Sequence, residues 1–242
     1  MRIISWNVNS IRARLPHVLM LLEREQPDVL FLQETKVRDE QFPYDAFESY
    51  HYNIAIRGQK TYCGVAIFSK TPLEDVSIDF SEEARYIQVF TNKVNFINVY
   101  VPQGQELGCE KYFYKLHFLE QLIEKIQLYS TEDTIVAGDF NIAMYPHDSY
   151  KPEFEGNICS APERNLMQKI LAHGYHDIVH DLGFTWWGYM AGALHKNHGF
   201  RIDNIFASQS LATRLEKYDV LKEYRKLERA SDHAPVMAQF SE

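Results

Sequence analysis

Ile3–Glu34 reads IISWNVNSIRARLPHVLMLLEREQPDVLFLQE, and this stretch decides the fold. Two apolar runs, at about 2–8 and 28–33, have the length and β-branched content of buried strands. The segment of about 11–25 between them is read as a helix. Each strand ends in a polar residue able to carry chemistry: Asn7 closes the first, and Glu34 follows the second. The arrangement recurs further on. Thr134–Asn141 reads TIVAGDFN, Phe200–Phe206 reads FRIDNIF, and Ser231–Pro235 reads SDHAP. Polar groups just past a buried strand are where α/β sheets place ligands and chemistry. An Asn, a Glu, an Asp-Phe-Asn, an Asp-Asn and an Asp-His at such ends look like an oxygen-rich site for a hard divalent cation.

Outward from these motifs the chain alternates helices with hairpins. Segments 51–57 and 62–69 predict a hairpin around Arg57–Thr61. Tyr86–Phe90 and Val94–Val101 predict another across Thr91-Asn92-Lys93. Residues 110–129 predict an amphipathic helix with Phe113, Leu116, Leu119, Leu122, Ile123 and Ile126 on one side. A strand at 133–138, a polar loop, a helix of about 162–173 begun by Pro162, and strands near 201–207, 217–223 and 235–240 complete the pattern. A short helix is expected around 209–215. The class is mixed α/β with much antiparallel pairing. WNVN in the first half is echoed by GDFN in the second, which suggests two similar sheets facing each other with a site at their shared rim.

The 242 residues, 45% hydrophobic and 24% charged, fit one domain spanning 1–242. No apolar run reaches membrane-span length. Met1-Arg2 leads straight into a strand, so no signal peptide is expected. Cys63, Cys109 and Cys159 are odd in number and lack metal-site spacing, which predicts free thiols in a reducing, cytoplasmic setting. A monomer is expected. The net charge of −8 argues against a globally basic nucleic-acid binder, although it says little about any one face.

Glu34 is a natural Mg²⁺ ligand; its alternative is a capping or ion-paired carboxylate. Asp139 and Asn141, two apart, offer a base and an amide donor side by side; an Asx-turn is the alternative. His233 can protonate or bind a phosphoryl oxygen, with an Asp fixing its tautomer.

Together SWNVNSIRAR, QPDVLFLQETK, YCGVAIFSK, NVYVPQG, GDFNIA, APERN, FTWWGYM, GFRIDNIFAS and SDHAP resemble the exonuclease III family of abasic-site (AP) endonucleases, in the exonuclease–endonuclease–phosphatase superfamily. The resemblance covers essentially the whole chain. It implies a four-layer α/β sandwich of two packed mixed sheets flanked by helices. It implies Mg²⁺-dependent phosphodiester hydrolysis 5′ to abasic sites in duplex DNA, with 3′-end processing, and Mn²⁺ as a substitute metal. Alternatives are an exonuclease-dominant enzyme and a superfamily phosphatase on a non-DNA substrate. By motif, Asn7 and Glu34 fall to the metal site, with Asp232 as a further ligand and Asn9 nearby. Asp139 activates water, Asn141 and Tyr100 meet the phosphate, and Asp203 orients His233. Trp186, Phe200 and Ile202 fall to a pocket for a base-less sugar, Met190 to a wedge into the duplex, and Lys196 and Asn197 to phosphate contacts, as do Arg12, Arg14, Lys36 and Gly58-Gln59-Lys60. Trp187 is expected in the core. The segment 143–160 is shorter and more acidic than its counterpart in bacterial exonuclease III.

Overall fold

In the computed structural model, which describes every residue except Asp79, Phe154, Glu155, Asn157, Ala191 and Glu242, two six-stranded sheets pack face to face between helical layers. In chain order the elements are β1 (Arg2–Asn7), α1 (Leu15–Glu25), β2 (Val29–Gln33), β3 (Asn53–Arg57), β4 (Val65–Ser69), β5 (Asp75–Ser77), β6 (Tyr86–Thr91), β7 (Val94–Tyr100), α2 (Glu110–Gln127), β8 (Thr134–Asp139), α3 (Ala161–Ala172), β9 (Tyr175–Asp177), β10 (Asp203–Ser208), α4 (Gln209–Ala212), β11 (Leu215–Val220), α5 (Lys222–Arg225) and β12 (Val236–Phe240). One sheet runs β11-β12-β1-β2-β4-β3 and the other β5-β6-β7-β8-β10-β9.

Read from opposite ends, the sheets follow one plan. The parallel pair β1–β2 matches the parallel pair β8–β7, and every other neighbour is antiparallel. The strands carrying WNVN and GDFN occupy equivalent positions, so the echo in the sequence is an echo in topology.

Alternation along each strand sorts its side chains into layers. Ile3, Phe31, Ile67, Phe96, Ile135, Ala137 and Ile205 face the inter-sheet core. Ile4, Trp6, Leu30, Leu32 and Phe68 face the layer containing α1. Ile97, Val99, Val136 and Phe206 face the layer containing α2 and α3. This is the four-layer sandwich the motifs imply, and no helix among the described residues is long and apolar enough to cross a membrane.

Helix α2 buries most of its expected face and departs from it at Phe113. Phe113 is 59% exposed, whereas Tyr112, Lys115, Phe118, Leu119, Leu122, Ile123 and Ile126 are buried. Leu119, Leu122, Ile123 and Ile126 are on the expected face and Leu116 packs partly against it, while at the start of the helix Tyr112 and Lys115 take the inward positions in place of Phe113. The strand expected at 217–223 is β11, followed by the short α5; the helix expected to start near 11 starts at Leu15, after Asn9 and Ser10 turn the chain with positive φ. Helix α3 begins at Ala161, one residue before the expected Pro162, and opens on a capping box of Ser160 with Glu163. The three cysteines are free thiols.

Candidate active site

The topology brings the motif residues to one rim. β1, β2, β7 and β8 end there, while the antiparallel β10 and β12 begin there. Asn7 pairs across from Gln33, Tyr100 from Asp139, and Asp139 from Asp203. Alternation then turns Asn7, Asp139 and Asp203 toward the space between the sheets.

Asn7 bridges the two sheets. Its Nδ2 donates to Glu34 Oε1 at 2.8 Å and to Asp139 Oδ2 at 2.9 Å. Its own backbone carbonyl accepts from Ser231, in the loop before β12. Glu34 leaves β2 with φ of 52°, and its other oxygen meets Lys36 Nζ at 2.6 Å. Asp139 Oδ1 accepts the Asn141 N–H at 2.9 Å, the Asx-turn geometry, while Asn141 Nδ2 donates to Val101 O at 2.9 Å and reaches Asp139 Oδ2 at 3.4 Å. The turn and the side-by-side placement of base and amide therefore coexist, and both residues are buried.

His233 is 4% exposed. Its Nδ1 lies 2.9 Å from Asp203 Oδ2, which also accepts from Thr185 at 2.6 Å. Its Nε2 faces Asp139 Oδ2 at 3.7 Å. Burial opposes the charged ring, but Asp203 and then Asp139 outweigh it and hold the His233 proton up to about 10. Burial pushes Asp139 up to about 7; His233 pulls against this and Asp203 adds to it. Burial, Glu34 and Asp139 keep the Tyr100 phenol far above its ordinary value, so it stays a donor.

Ligand atoms of Asp139, Asp203 and His233 lie within 4.8 Å of one another, the convergent set of this kind among the described residues. Asp232 stands apart from them. Its Oδ2 accepts from Trp186 Nε1 at 3.0 Å and its Oδ1 from Asn9 Nδ2 at 2.9 Å. Burial raises its carboxyl, yet His233 and these two donors hold it below the usual range. The candidate donors here are carboxylates and amides with one imidazole, His233, and no thiolate among them, an oxygen-dominated set that fits a hard cation.

Beside this centre, Trp186 pairs with Phe200 through the backbone, and their rings lie 5.8 Å apart. Ile202 is buried next to them and its N–H meets Thr185. Met190 is 84% exposed and Tyr189 is 57% exposed at the outer edge. Trp187 is in the core, with Nε1 donating to Asn197 Oδ1 at 3.1 Å. Several polar residues read as phosphate contacts also make bonds within the rim. Arg14 donates to Asn9 O, Tyr189 Oη and Ala230 O. Gln59 accepts from the Ala84 N–H. Lys196 closes a tight turn onto Gly192 O through its backbone N–H. Within 143–160, Phe154, Glu155 and Asn157 lie outside the described residues; Asp148 and Ser149 are pinned to Arg201 and Phe200.

Sequence reasoning missed Lys115. It is fully buried beneath the site and donates to Glu163 and, at 2.7 Å, to Asn141 O, tying α2 and α3 to the turn that carries Asp139. No sequence signal marks it, because a lysine on an amphipathic helix reads as solvent-facing.

A family model for the Endonuclease/Exonuclease/phosphatase family matches residues 4–233. Exodeoxyribonuclease III of Haemophilus influenzae is 33% identical, over 99% of this chain and 100% of that protein. A 3′ phosphatase from Neisseria, solved bound to a product DNA hairpin, superposes with a TM-score of 0.97 at 37% identity, covering 100% of both chains. An AP endonuclease from Archaeoglobus fulgidus gives 0.96 at 34% identity, again over 100% of both. The chain belongs to the Endonuclease/Exonuclease/phosphatase family, in its exonuclease III group of AP endonucleases, and is a DNA-processing hydrolase.

Proposed function

We propose that the protein is a Mg²⁺-dependent AP endonuclease that cleaves the phosphodiester 5′ to an abasic site in duplex DNA, leaving a 3′-hydroxyl, and that it also cleans damaged 3′ ends. One observation carries this reading: Asn7, Glu34, Tyr100, Asp139, Asn141, Asp203 and His233 meet at one rim, against the Trp186–Phe200 wall.

Phosphodiester hydrolysis needs an aligned nucleophile, charge neutralisation at phosphorus and help for the leaving oxygen. Asp139 is the base, accepting a proton from the attacking water. Its neighbours favour this: Asn7 and the Asn141 N–H donate to its oxygens, so the carboxylate is aimed and cannot rotate freely. His233 supplies positive charge to a phosphoryl oxygen through Nε2, because Asp203 holds Nδ1 and keeps the ring protonated. Asn141 and Tyr100 donate to the remaining oxygens. Glu34 and Asn7 are the residues to hold Mg²⁺ or Mn²⁺, with Asp232 as a further ligand. Bound there, the cation supplies Lewis-acid neutralisation of the phosphate.

Selectivity follows from shape. A pocket walled by Trp186, Phe200 and Ile202 takes a flipped sugar lacking its base and refuses a full nucleotide, and an unpaired residue costs little to extrude. Met190, exposed beside the pocket, is the wedge into the stack, and Lys196 and Asn197 are assigned to phosphate contacts, Asn197 through Nδ2 because its Oδ1 accepts from Trp187. The similarity to a Neisseria 3′ phosphatase supports 3′-phosphate removal as the accompanying activity.

The test is a duplex carrying a tetrahydrofuran abasic analogue, incubated with Mg²⁺ and separately with EDTA. Incision 5′ to the analogue in Mg²⁺ alone is expected. An intact duplex in Mg²⁺, or equal incision in EDTA, overturns the reading.

A further inference from the structure

Arg85 has no part in the steps above, yet its side chain is nearly buried against one that does. Its guanidinium carbon lies 4.7 Å from the centroid of the Tyr100 ring. The same residues are joined by two more bonds: the Tyr100 backbone N–H donates to Arg85 O at 2.8 Å, and the Arg85 side-chain Nη1 donates to Tyr100 O at 3.3 Å. Arg85 is itself held. Its Nε donates to Glu83 Oε2 at 2.7 Å, and the Tyr114 hydroxyl, from α2, donates to the same oxygen at 3.0 Å. Only 12% of the Arg85 side chain is exposed. A surface ion pair held by long mobile side chains looks different from this.

The surroundings explain why such a brace matters. Tyr100 and Glu34 lie on the wall of a groove of about 1080 Å³, which continues past Glu83, Arg85, Gln103 and Tyr114. Tyr100 packs only partly against the inter-sheet core and borders this opening, so its ring is less enclosed than a core ring. A planar cation stacked on the ring adds to that partial packing, and its fork-shaped donors are fixed by Glu83 and by the backbone.

We propose that Arg85, braced by Glu83 and Tyr114, is a positioning residue that fixes the Tyr100 ring so that its hydroxyl meets the scissile phosphate. The proposal rests on the role given to Tyr100 above. The role assigned to Arg85 is exerted through Tyr100 and not on the reacting atoms. Loss of the brace therefore slows the chemical step and leaves duplex binding alone.

A double-mutant cycle tests this on the intact protein, with single-turnover rates on the tetrahydrofuran duplex in saturating Mg²⁺. Arg85→Gln is expected to lower the rate about 10-fold, with KM within twofold of wild type. Tyr100→Phe is expected to lower it further, and adding Arg85→Gln to Tyr100→Phe is expected to cost less than twofold more, since groups acting as a unit are non-additive. Arg85→Lys, which keeps the charge but loses the planar stack, should fall between wild type and Arg85→Gln; it serves in the cycle if the thermal midpoint of Arg85→Gln shows a folding defect. Equal losses in the two backgrounds, or a loss confined to KM, overturn the proposal. Wild-type turnover by Tyr100→Phe removes the role of Tyr100 itself, and the proposal with it. That outcome is distinguishable from a cycle in which Tyr100→Phe is slow and the two losses simply add.

Discussion

His233 holds Asp203 at 2.9 Å with one ring nitrogen and faces Asp139 at 3.7 Å with the other. The two carboxylates belong to paired residues of β8 and β10, so one register match presents both to one imidazole. Asp203 sits on the nitrogen turned away from Asp139, which leaves Nε2 as the charged edge directed at the reaction centre. The proton that makes this edge positive is also a stabilising feature of the fold.

The first prediction follows from that proton. Burial works against it, but Asp203 and Asp139 raise the His233 pKa from 6.5 to about 10. The raised value means the ion pair stabilises the native state fully below about 6.5 and loses that contribution as the pH climbs toward 10. In metal-free protein, the thermal midpoint of wild type should drop between pH 6.5 and 10 by more than that of His233→Gln. Parallel curves for the two proteins would show that the pair carries no such charge.

Glu34→Gln tests the metal assignment. The variant keeps size and hydrogen bonding to Asn7 within reach but removes a charged oxygen ligand. The Mg²⁺ concentration for half-maximal incision should rise at least about 10-fold, and Ca²⁺, which prefers longer bonds and more ligands, should support little cleavage in either protein. An unchanged Mg²⁺ requirement would remove Glu34 from the metal site.

Phe200→Ala tests the pocket. Incision at the abasic analogue should fall relative to digestion of a matched 3′ end, because a wider pocket admits a nucleotide with its base. The check is the ratio of the two rates, wild type against variant, on an abasic duplex and on a blunt undamaged one. If wild type itself digests the blunt end as fast as it nicks the lesion, the Trp186–Phe200 wall is not the filter.

Arg201→Met tests the frame behind the site. Arg201 is fully buried between Asp148, reached at 2.6 Å, and Asp177, reached at 2.9 Å, and it separates Phe200 from Ile202 in the chain. Removing it strands two buried carboxylates, a loss of about 3–5 kcal/mol. Denaturant unfolding measures this; a loss below about 1 kcal/mol would mean the carboxylates find other partners.

What the sequence made legible follows from where chemistry sits on strands. Asn7, Glu34, Asp139 and Asp203 each adjoin an apolar run, so the run locates the strand and the strand locates the rim. The hairpins were legible because Asn92 and Lys93 sit at a two-residue turn, which the backbone makes with positive φ at both. Lys115, Arg85 and Arg201 were not legible as functional supports. A buried cation has the same letter as an exposed one, and its partners, Glu163, Glu83, Asp148 and Asp177, are from 2 to 53 residues away. The internal use of Asn197 by Trp187 and of Arg14 by Ala230 was hidden for the same reason: polar residues near a site read as ligand contacts until their tertiary partners are known.

The claim on which the rest depends is that Asp139 takes the proton from the attacking water. Asp139→Asn replaces the base at nearly constant volume and leaves an amide where Asn7 and Asn141 now donate. Single-turnover incision of the abasic duplex in Mg²⁺ should fall by at least about 10²-fold, the scale of a positioned general base, while duplex affinity is retained. Incision by the variant at close to the wild-type rate would contradict the account.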